Sequence, residues 1–236
     1  MELYKAIWSG IVNGLVNLSP LSDGAHFEFF KLIISDNSEQ IALLLSMSAL
    51  GSLLALLFYF RREYLALMWL VEKVSFIMNP FFAIVMMLVS SAVVLNFNQI
   101  FRKIPSKEKP VTKKRALIMG SVSSLSVLPG FSRIMLSMIA GRAQNIKEGK
   151  SMRYSILASA PFLLVVFVRS LFMPGGAQLF SEQFGPVLIA NLISFIVTLF
   201  ALRFIMKNEE KKIIRYAAWY QATLALLVLF FELTKI

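Results

Sequence analysis

The chain of 236 residues has no cysteine and only one histidine, His26. Disulfide bonds and thiolate metal sites are therefore excluded, and so is a metal site that needs several histidines. Acidic residues are also few, 13 against 24 lysines and arginines, which gives a formal net charge of +11. The sequence contains neither a P-loop nor a GxGxxG motif, and this absence argues against a nucleotide-driven pump.

Long apolar runs are what the sequence has instead. Hydrophobic residues make up 58% of the chain, and several runs approach the 20 or so residues that a helix needs to cross a bilayer. We therefore expect an all-α polytopic membrane protein with six transmembrane helices. The predicted spans are Ile41–Phe60, Leu65–Ile77, Pro80–Ile100, Ser151–Phe172, Val187–Met206 and Ala217–Leu233.

The basic residues cluster at the ends of these spans rather than along one face. The clusters are Arg61–Arg62, residues 102–115, Lys147–Arg153 and Lys207–Arg215. The positive-inside rule places them in the cytoplasm, where they also attract anionic lipid headgroups. We therefore expect these basic residues to interact with the bilayer and not with nucleic acid.

Two further apolar segments are broken near their middles and are too short on each side to span. Residues 4–34 contain Pro20 and Gly24, and residues 116–144 contain Pro129 and Gly130. Such breaks at membrane depth are tolerated only inside protein or beside a cavity, so each segment predicts a re-entrant helical hairpin. The pair predicts one membrane domain with an inverted repeat, in which residues 1–100 and 116–236 are the repeats and 101–115 a basic cytoplasmic linker.

Arg133 follows the second break in the stretch "PGFSR", which predicts the start of a new half-helix. Free backbone N–H groups at a helix N-terminus favour anions, and an arginine adds a forked donor that suits phosphate. Gly130, Ser132 and Arg133 are therefore the predicted phosphate-binding residues. Two alternatives are that Arg133 extends to the cytoplasmic surface or that it pairs with a carboxylate.

The first break carries "SPLSDGAH", in which Ser22, Asp23 and His26 are the candidates for chemistry. A histidine beside a hydroxyl and a carboxylate can act as nucleophile or general acid and base. Asp23 could orient His26 or bind a cation, and it is the one predicted metal ligand. Its position also fits an N-cap on the second half-helix, and a lone histidine is more often a hydrogen-bonded structural residue.

These motifs resemble the BacA/UppP family of undecaprenyl pyrophosphate phosphatases over nearly the whole chain. "AIWSGIVNGLVNLSPLSDGAH" is similar to the family's first motif, G-x-x-E-G-x-x-E-F-x-P-[IV]-S-S-[TS]-G-H. "GSVSSLSVLPGFSRIMLSMIAGR" is similar to its P-G-x-S-R-S-G-[AS]-T motif, although Ile134-Met135 replace the Ser-Gly and Ser137 the Thr. The resemblance implies six spans with two re-entrant hairpins, and a site open to the outer side of the bacterial inner membrane. It also implies removal of the terminal phosphate from a C55 polyprenyl pyrophosphate, which recycles the carrier used in cell-wall synthesis.

Asn13 and Asn17 stand where the family has its two glutamates. A carboxamide cannot accept a proton as a base and is a weak ligand for Mg²⁺ or Ca²⁺, the cofactors expected for a catalytic protein. Two functions therefore stay open: a phosphatase rebuilt around His26, Asp23 and Ser22, and a non-hydrolytic transporter or binder of an anionic lipid. A regulatory protein that only keeps the fold ranks behind both, and the sequence leaves homodimer formation open.

Overall fold

The computed structural model describes residues 3–33, 38–61, 109–127, 131–208 and 210–234, and these are helical without a strand. Within these residues the structure contains eleven α-helices and one 3₁₀ turn. They are α1 Leu3–Val16, α2 Asp23–Ile33, α3 Ser38–Met47, α4 Ala49–Tyr59, α5 Lys113–Ser123, a 3₁₀ turn Ser124–Val127, α6 Arg133–Ala143, α7 Glu148–Leu157, α8 Ala160–Phe172, α9 Gly176–Glu182, α10 Phe184–Lys207 and α11 Glu210–Thr234.

The described residues divide into two compact units. The first unit contains residues 3–19, 26–33, 38–61 and 157–204, and thus α1, α3, α4 and most of α8 to α10. The second contains residues 20–25, 109–127, 131–156, 205–208 and 210–234, and thus α5, α6, α7 and α11. Each unit collects segments from both predicted repeats, and the repeat boundaries themselves stay a prediction.

Three helical stretches are long and apolar enough to cross a membrane within the described part of the chain: Glu39–Tyr59, Glu148–Phe172 and Phe184–Lys207. They coincide with the first, fourth and fifth predicted spans. The sixth predicted span, Ala217–Leu233, lies inside α11, where the structure confirms the helix. The predicted spans Leu65–Ile77 and Pro80–Ile100 lie outside the described residues.

Two of these spans contain a short irregularity that the hydropathy pattern does not predict. α3 and α4 are separated at Ser48, whose hydroxyl donates to the carbonyl of Leu45 at 2.9 Å. α7 and α8 are separated just before Pro161, which lacks the N–H that would continue the ladder of backbone hydrogen bonds. A hydropathy window averages over such single positions, so the spans are found and the breaks within them are not.

Both predicted hairpins have the expected helix–break–helix pattern. α1 ends at Val16 and α2 begins at Asp23, so the first break lies at residues 17–22. α5 continues into the 3₁₀ turn, and α6 begins at Arg133 after the second break. Whether each pair returns to the same side of the membrane stays a prediction.

α10 carries two opposite stripes that fit a helix lying between protein and lipid. Its exposed stripe repeats every fourth residue and consists of Leu188, Leu192, Ile196, Phe200 and Phe204. Its buried stripe contains Ala190, Ser194 and Thr198. Large apolar side chains exposed at regular spacing are costly in water and favourable in hydrocarbon, so the exposed stripe supports membrane embedding.

Glycines allow α10 to lie very close to two other helices of the first unit. A Cβ atom on Gly51 of α4 would overlap the backbone carbonyl of Asn191. A Cβ atom on Gly10 of α1 would likewise overlap the backbone carbonyl of Ala190, and one on Gly14 would overlap the side chain of Val197. Small residues at helix crossings let backbones approach in membranes, where packing replaces the hydrophobic effect as the driving force.

We expect Gly51→Ala to destabilise the protein by about 1–3 kcal/mol, the usual cost of overpacking a close contact. The Gly51 N–H also donates to the Asn191 side-chain oxygen at 2.7 Å, and separating the helices would lengthen that bond. The measurement is the thermal unfolding midpoint in detergent. Gly185→Ala is the matched control, because nothing lies within 4 Å of a Cβ at that glycine; equal midpoints for the two variants would contradict the close-packing argument.

Candidate functional site

Ser132 and Arg133 open helix α6 at the second break. The Ser132 backbone is extended, and its side-chain oxygen accepts the N–H of Met135 at 3.3 Å, which makes it the N-cap. Arg133 is therefore the first helical residue. Pro129 and Gly130, the other members of the motif, lie outside the described residues, so the predicted role of Gly130 stays a prediction.

Arg133 occupies a position that helix electrostatics disfavour. The N-terminus of a helix carries a partial positive charge, which stabilises carboxylates and destabilises a cation. Burial adds a desolvation cost, and the Arg133 side chain is only 6% exposed. The alternative in which Arg133 reaches the aqueous surface is therefore wrong. A buried cation at this end of a helix concentrates positive potential, as an anion-binding site requires.

Ser22 gives the first break the same local structure. Its side-chain oxygen accepts the N–H of Ala25 at 3.4 Å, so Ser22 caps α2. Asp23 is then the first helical residue rather than the cap, and the capping interpretation of Asp23 is wrong because the preceding hydroxyl already fills that position. Asp23 instead places a carboxylate where the helix dipole stabilises one.

Asp23 and Arg133 are the two predicted site residues that the structure brings into contact. Nη1 of Arg133 lies 3.9 Å from Oδ2 of Asp23, within the second unit. The other Asp23 oxygen accepts the Gly24 N–H at 3.1 Å. The carboxylate partner considered for Arg133 is thus Asp23, so the first residues of two different half-helices form an ion pair.

His26 lies one turn further along α2 and belongs to the first unit. Its side chain is buried. A buried histidine in a membrane protein is a candidate for proton transfer, as the sequence predicts. Its role, and that of Ser22 beyond capping, stay predictions.

Asn13 and Asn17 lie inside a buried polar network of the first unit. The Asn13 amide donates to the carbonyl of Leu45 and to the hydroxyl of Ser48, and its oxygen accepts a hydrogen bond from the Asn17 amide. Asn17 also donates to Ser52 at 3.2 Å. These hydrogen bonds join α1 and the break that follows it to α3, to Ser48 and to α4.

Ser52 extends the network to a fourth helix, α10. Its hydroxyl lies 2.9 Å from that of Ser194 and 3.0 Å from that of Thr198, both on α10. Thr198 in turn donates to the carbonyl of Gly14 at 3.2 Å. The network therefore closes on α1, and the two asparagine amides act as hydrogen-bond donors to neighbouring segments.

This network does not fit a divalent cation at the positions of the family glutamates. Mg²⁺ and Ca²⁺ prefer carboxylates, whereas the Asn13 amide directs its N–H groups toward the oxygens of Leu45 and Ser48. Among the residues that the structure describes, no group of three His, Cys, Asp or Glu could hold a metal ion. The predicted metal ligand Asp23 brings one carboxylate, and its use by a metal stays a prediction.

Sequence reasoning missed the hydroxyl partners of the two asparagines, although a signal was present. Polar residues four apart occur on three segments, as Asn13 with Asn17, Ser48 with Ser52, and Ser194 with Thr198. Residues at this spacing share a helix face, so each pair forms a polar stripe in an otherwise apolar helix. Matching stripes predict helices that pack through hydrogen bonds.

Comparison with known proteins agrees with the motifs. A profile described as "Bacitracin resistance protein BacA" matches residues 69–227, about two thirds of the chain. The chain belongs to the BacA family. The predicted family membership is therefore confirmed, and the protein is an integral membrane protein. The match begins beyond the first hairpin, so Asn13 and Asn17 lie outside the matched residues.

Curated relatives of the BacA chain align over almost its whole length. "Undecaprenyl-diphosphatase 3" of Acinetobacter baylyi is 21% identical over 98% of this chain and 98% of its own. "Undecaprenyl-diphosphatase" of Flavobacterium johnsoniae is 23% identical over 89% and 90%, and the protein of that name from Korarchaeum cryptofilum is 22% identical over 97% and 99%. The low identity allows individual site residues to differ between BacA proteins.

Proposed function

We propose that the chain binds undecaprenyl diphosphate, or a closely related polyprenyl diphosphate, and serves the recycling of this lipid carrier at the bacterial inner membrane. The observation that carries the proposal is Arg133, buried as the first residue of α6 behind the Ser132 cap. A guanidinium with several N–H donors beside a helix N-terminus suits the oxygens of a phosphate. The names of the relatives supply the lipid.

Release of the terminal phosphate is the activity that the relatives' names suggest for this site. In that reaction water attacks the terminal phosphorus, the bridging P–O bond breaks, and inorganic phosphate and the lipid monophosphate are formed. Asn13 and Asn17 cannot serve as its base, so the chemistry would rest on Asp23 and His26. The proximity of Asp23 to Arg133 favours this candidate, because it places a carboxylate beside the proposed phosphate ligand.

Carriage of the lipid without hydrolysis is the second candidate function. The observation that favours it is the network around Asn13 and Asn17, in which both amides are occupied by contacts between helices. Broken helices near the membrane midplane are also typical of transporters, so binding can persist when hydrolysis is lost. Arg133 and Ser132 would serve both functions equally.

The deciding experiment measures phosphate release from undecaprenyl diphosphate by purified protein, with and without Mg²⁺ or Ca²⁺, together with binding of the same lipid. Release that disappears in His26→Ala and in Asp23→Asn would establish hydrolysis that depends on His26 and Asp23. Binding without release would establish carriage. Failure of the folded protein to bind the lipid at all would contradict the proposed function itself.

A further inference from the structure

The ion pair between Asp23 and Arg133 holds its two charges in fixed places. Oδ2 of Asp23 faces the guanidinium at 3.9 Å, while Oδ1 accepts the Gly24 N–H at 3.1 Å. Asp23 is also the first residue of α2, where the helix dipole stabilises its negative charge. Both contacts keep the carboxylate at the helix end, close to Arg133.

We propose that Asp23 is an internal counter-anion that competes with the phosphate headgroup for Arg133 and so determines how the site responds to ligand charge. This inference rests on the proposed function, in which Arg133 binds the phosphate. A ligand that approaches Arg133 meets a pair whose net charge is zero rather than an isolated cation. Binding then resembles an exchange of one anion for another.

The consequence for selectivity follows from Coulomb's law. The attraction of a phosphate to Arg133 and its repulsion from Asp23 both grow with the charge of the ligand, and they partly cancel. A diphosphate carries more negative charge than a monophosphate, so Asp23 reduces the affinity for the diphosphate more. The pair therefore narrows the preference between the two headgroups, which helps a strongly charged lipid to leave the site.

The test compares the wild type with Asp23→Asn, which removes the charge and keeps the size. The probes are a non-hydrolysable farnesyl diphosphonate and farnesyl monophosphate, titrated into purified protein in detergent with a chelator present. We expect the affinity of the variant for the diphosphonate to rise about tenfold and that for the monophosphate to rise less. The binding of Asp23→Asn should also weaken more steeply with salt, because its site carries one more unit of net positive charge than that of the wild type.

Glu148→Gln is the matched control. Glu148 pairs with Arg142 at 3.6 Å at the other end of α6, in the same unit, and we expect its loss to leave both affinities unchanged. Asp23→Ser is the second variant, in case the asparagine protein does not fold. The inference would be overturned if a folded Asp23 variant bound both probes with the wild-type affinity or gained affinity equally for both. Weaker binding of the diphosphonate would overturn it as well.

Arg133→Ala separates a failure of this inference from a failure of the proposed function. If that variant binds the diphosphonate as the wild type does, Arg133 is not the phosphate ligand and both proposals fail. If it loses binding while the Asp23 variants show no gain, the proposed function stands and only the competition by Asp23 is wrong.

Discussion

Arg133→Ala is expected to remove measurable binding of the lipid diphosphate while the protein still folds. Truncating one partner of a buried, hydrogen-bonded charge pair typically costs about 2 to 5 kcal/mol, which is roughly 30-fold or more in affinity. Arg133 is buried and lies at a capped helix start, so a headgroup bound there would lose its main cationic donor. Lipid binding in detergent micelles or nanodiscs measures the loss directly.

Two further variants separate the loss of a phosphate ligand from a general effect of the substitution. Arg133→Lys keeps the charge but not the planar fork, so its affinity should lie between those of the wild type and Arg133→Ala. Arg142→Ala removes the cation at the other end of the same helix, which pairs with Glu148, and should bind lipid normally. If Arg133→Ala and Arg142→Ala lose lipid affinity equally, the affinity depends on the net charge of the second unit and not on a specific site at Arg133.

The sequence predicts the helical architecture well because hydropathy and helix-breaking residues are local signals. The broken segments at residues 4–34 and 116–144 each contain two α-helices, and the first break includes Pro20, whereas Gly24 lies in the first turn of α2. The N-cap at Ser132 can be predicted in the same way, since a serine before an apolar run is a common helix start. These features depend on only a few neighbouring residues.

The contacts of the site depend on residues far apart in the chain, and the sequence alone does not pair them. Asp23 and Arg133 are 110 residues apart (133 − 23), and a carboxylate partner for Arg133 could be named only as a type of group. Ser52 lies over 140 positions from Ser194 and Thr198 in sequence, yet all three hydroxyls meet. Such pairs are set by helix packing rather than by local propensity.

Asn13→Glu introduces the glutamate that the motif resemblance places at this position, and it is nevertheless expected to destabilise the protein, by about 3 kcal/mol, without adding phosphatase activity. The Asn13 amide donates to the carbonyl of Leu45 and the hydroxyl of Ser48. An ionised glutamate would bring an acceptor toward that carbonyl, and a protonated one has a single O–H for two acceptors. The thermal midpoint in detergent and phosphate release from undecaprenyl diphosphate measure the two expectations.

Asn13→Gln isolates the charge, since glutamine has the size of glutamate and the donors of asparagine. We expect it to lose about 1 kcal/mol, less than Asn13→Glu, because its amide can still donate to an acceptor on the next helix. The double variant with Asn17→Glu adds a second carboxylate one turn away and should be less stable still. A stable double variant that gains phosphate release would contradict this expectation. It would mean that the hydrogen-bond partners of Asn13 and Asn17 rearrange readily, and that two carboxylates are sufficient to give this chain phosphatase activity.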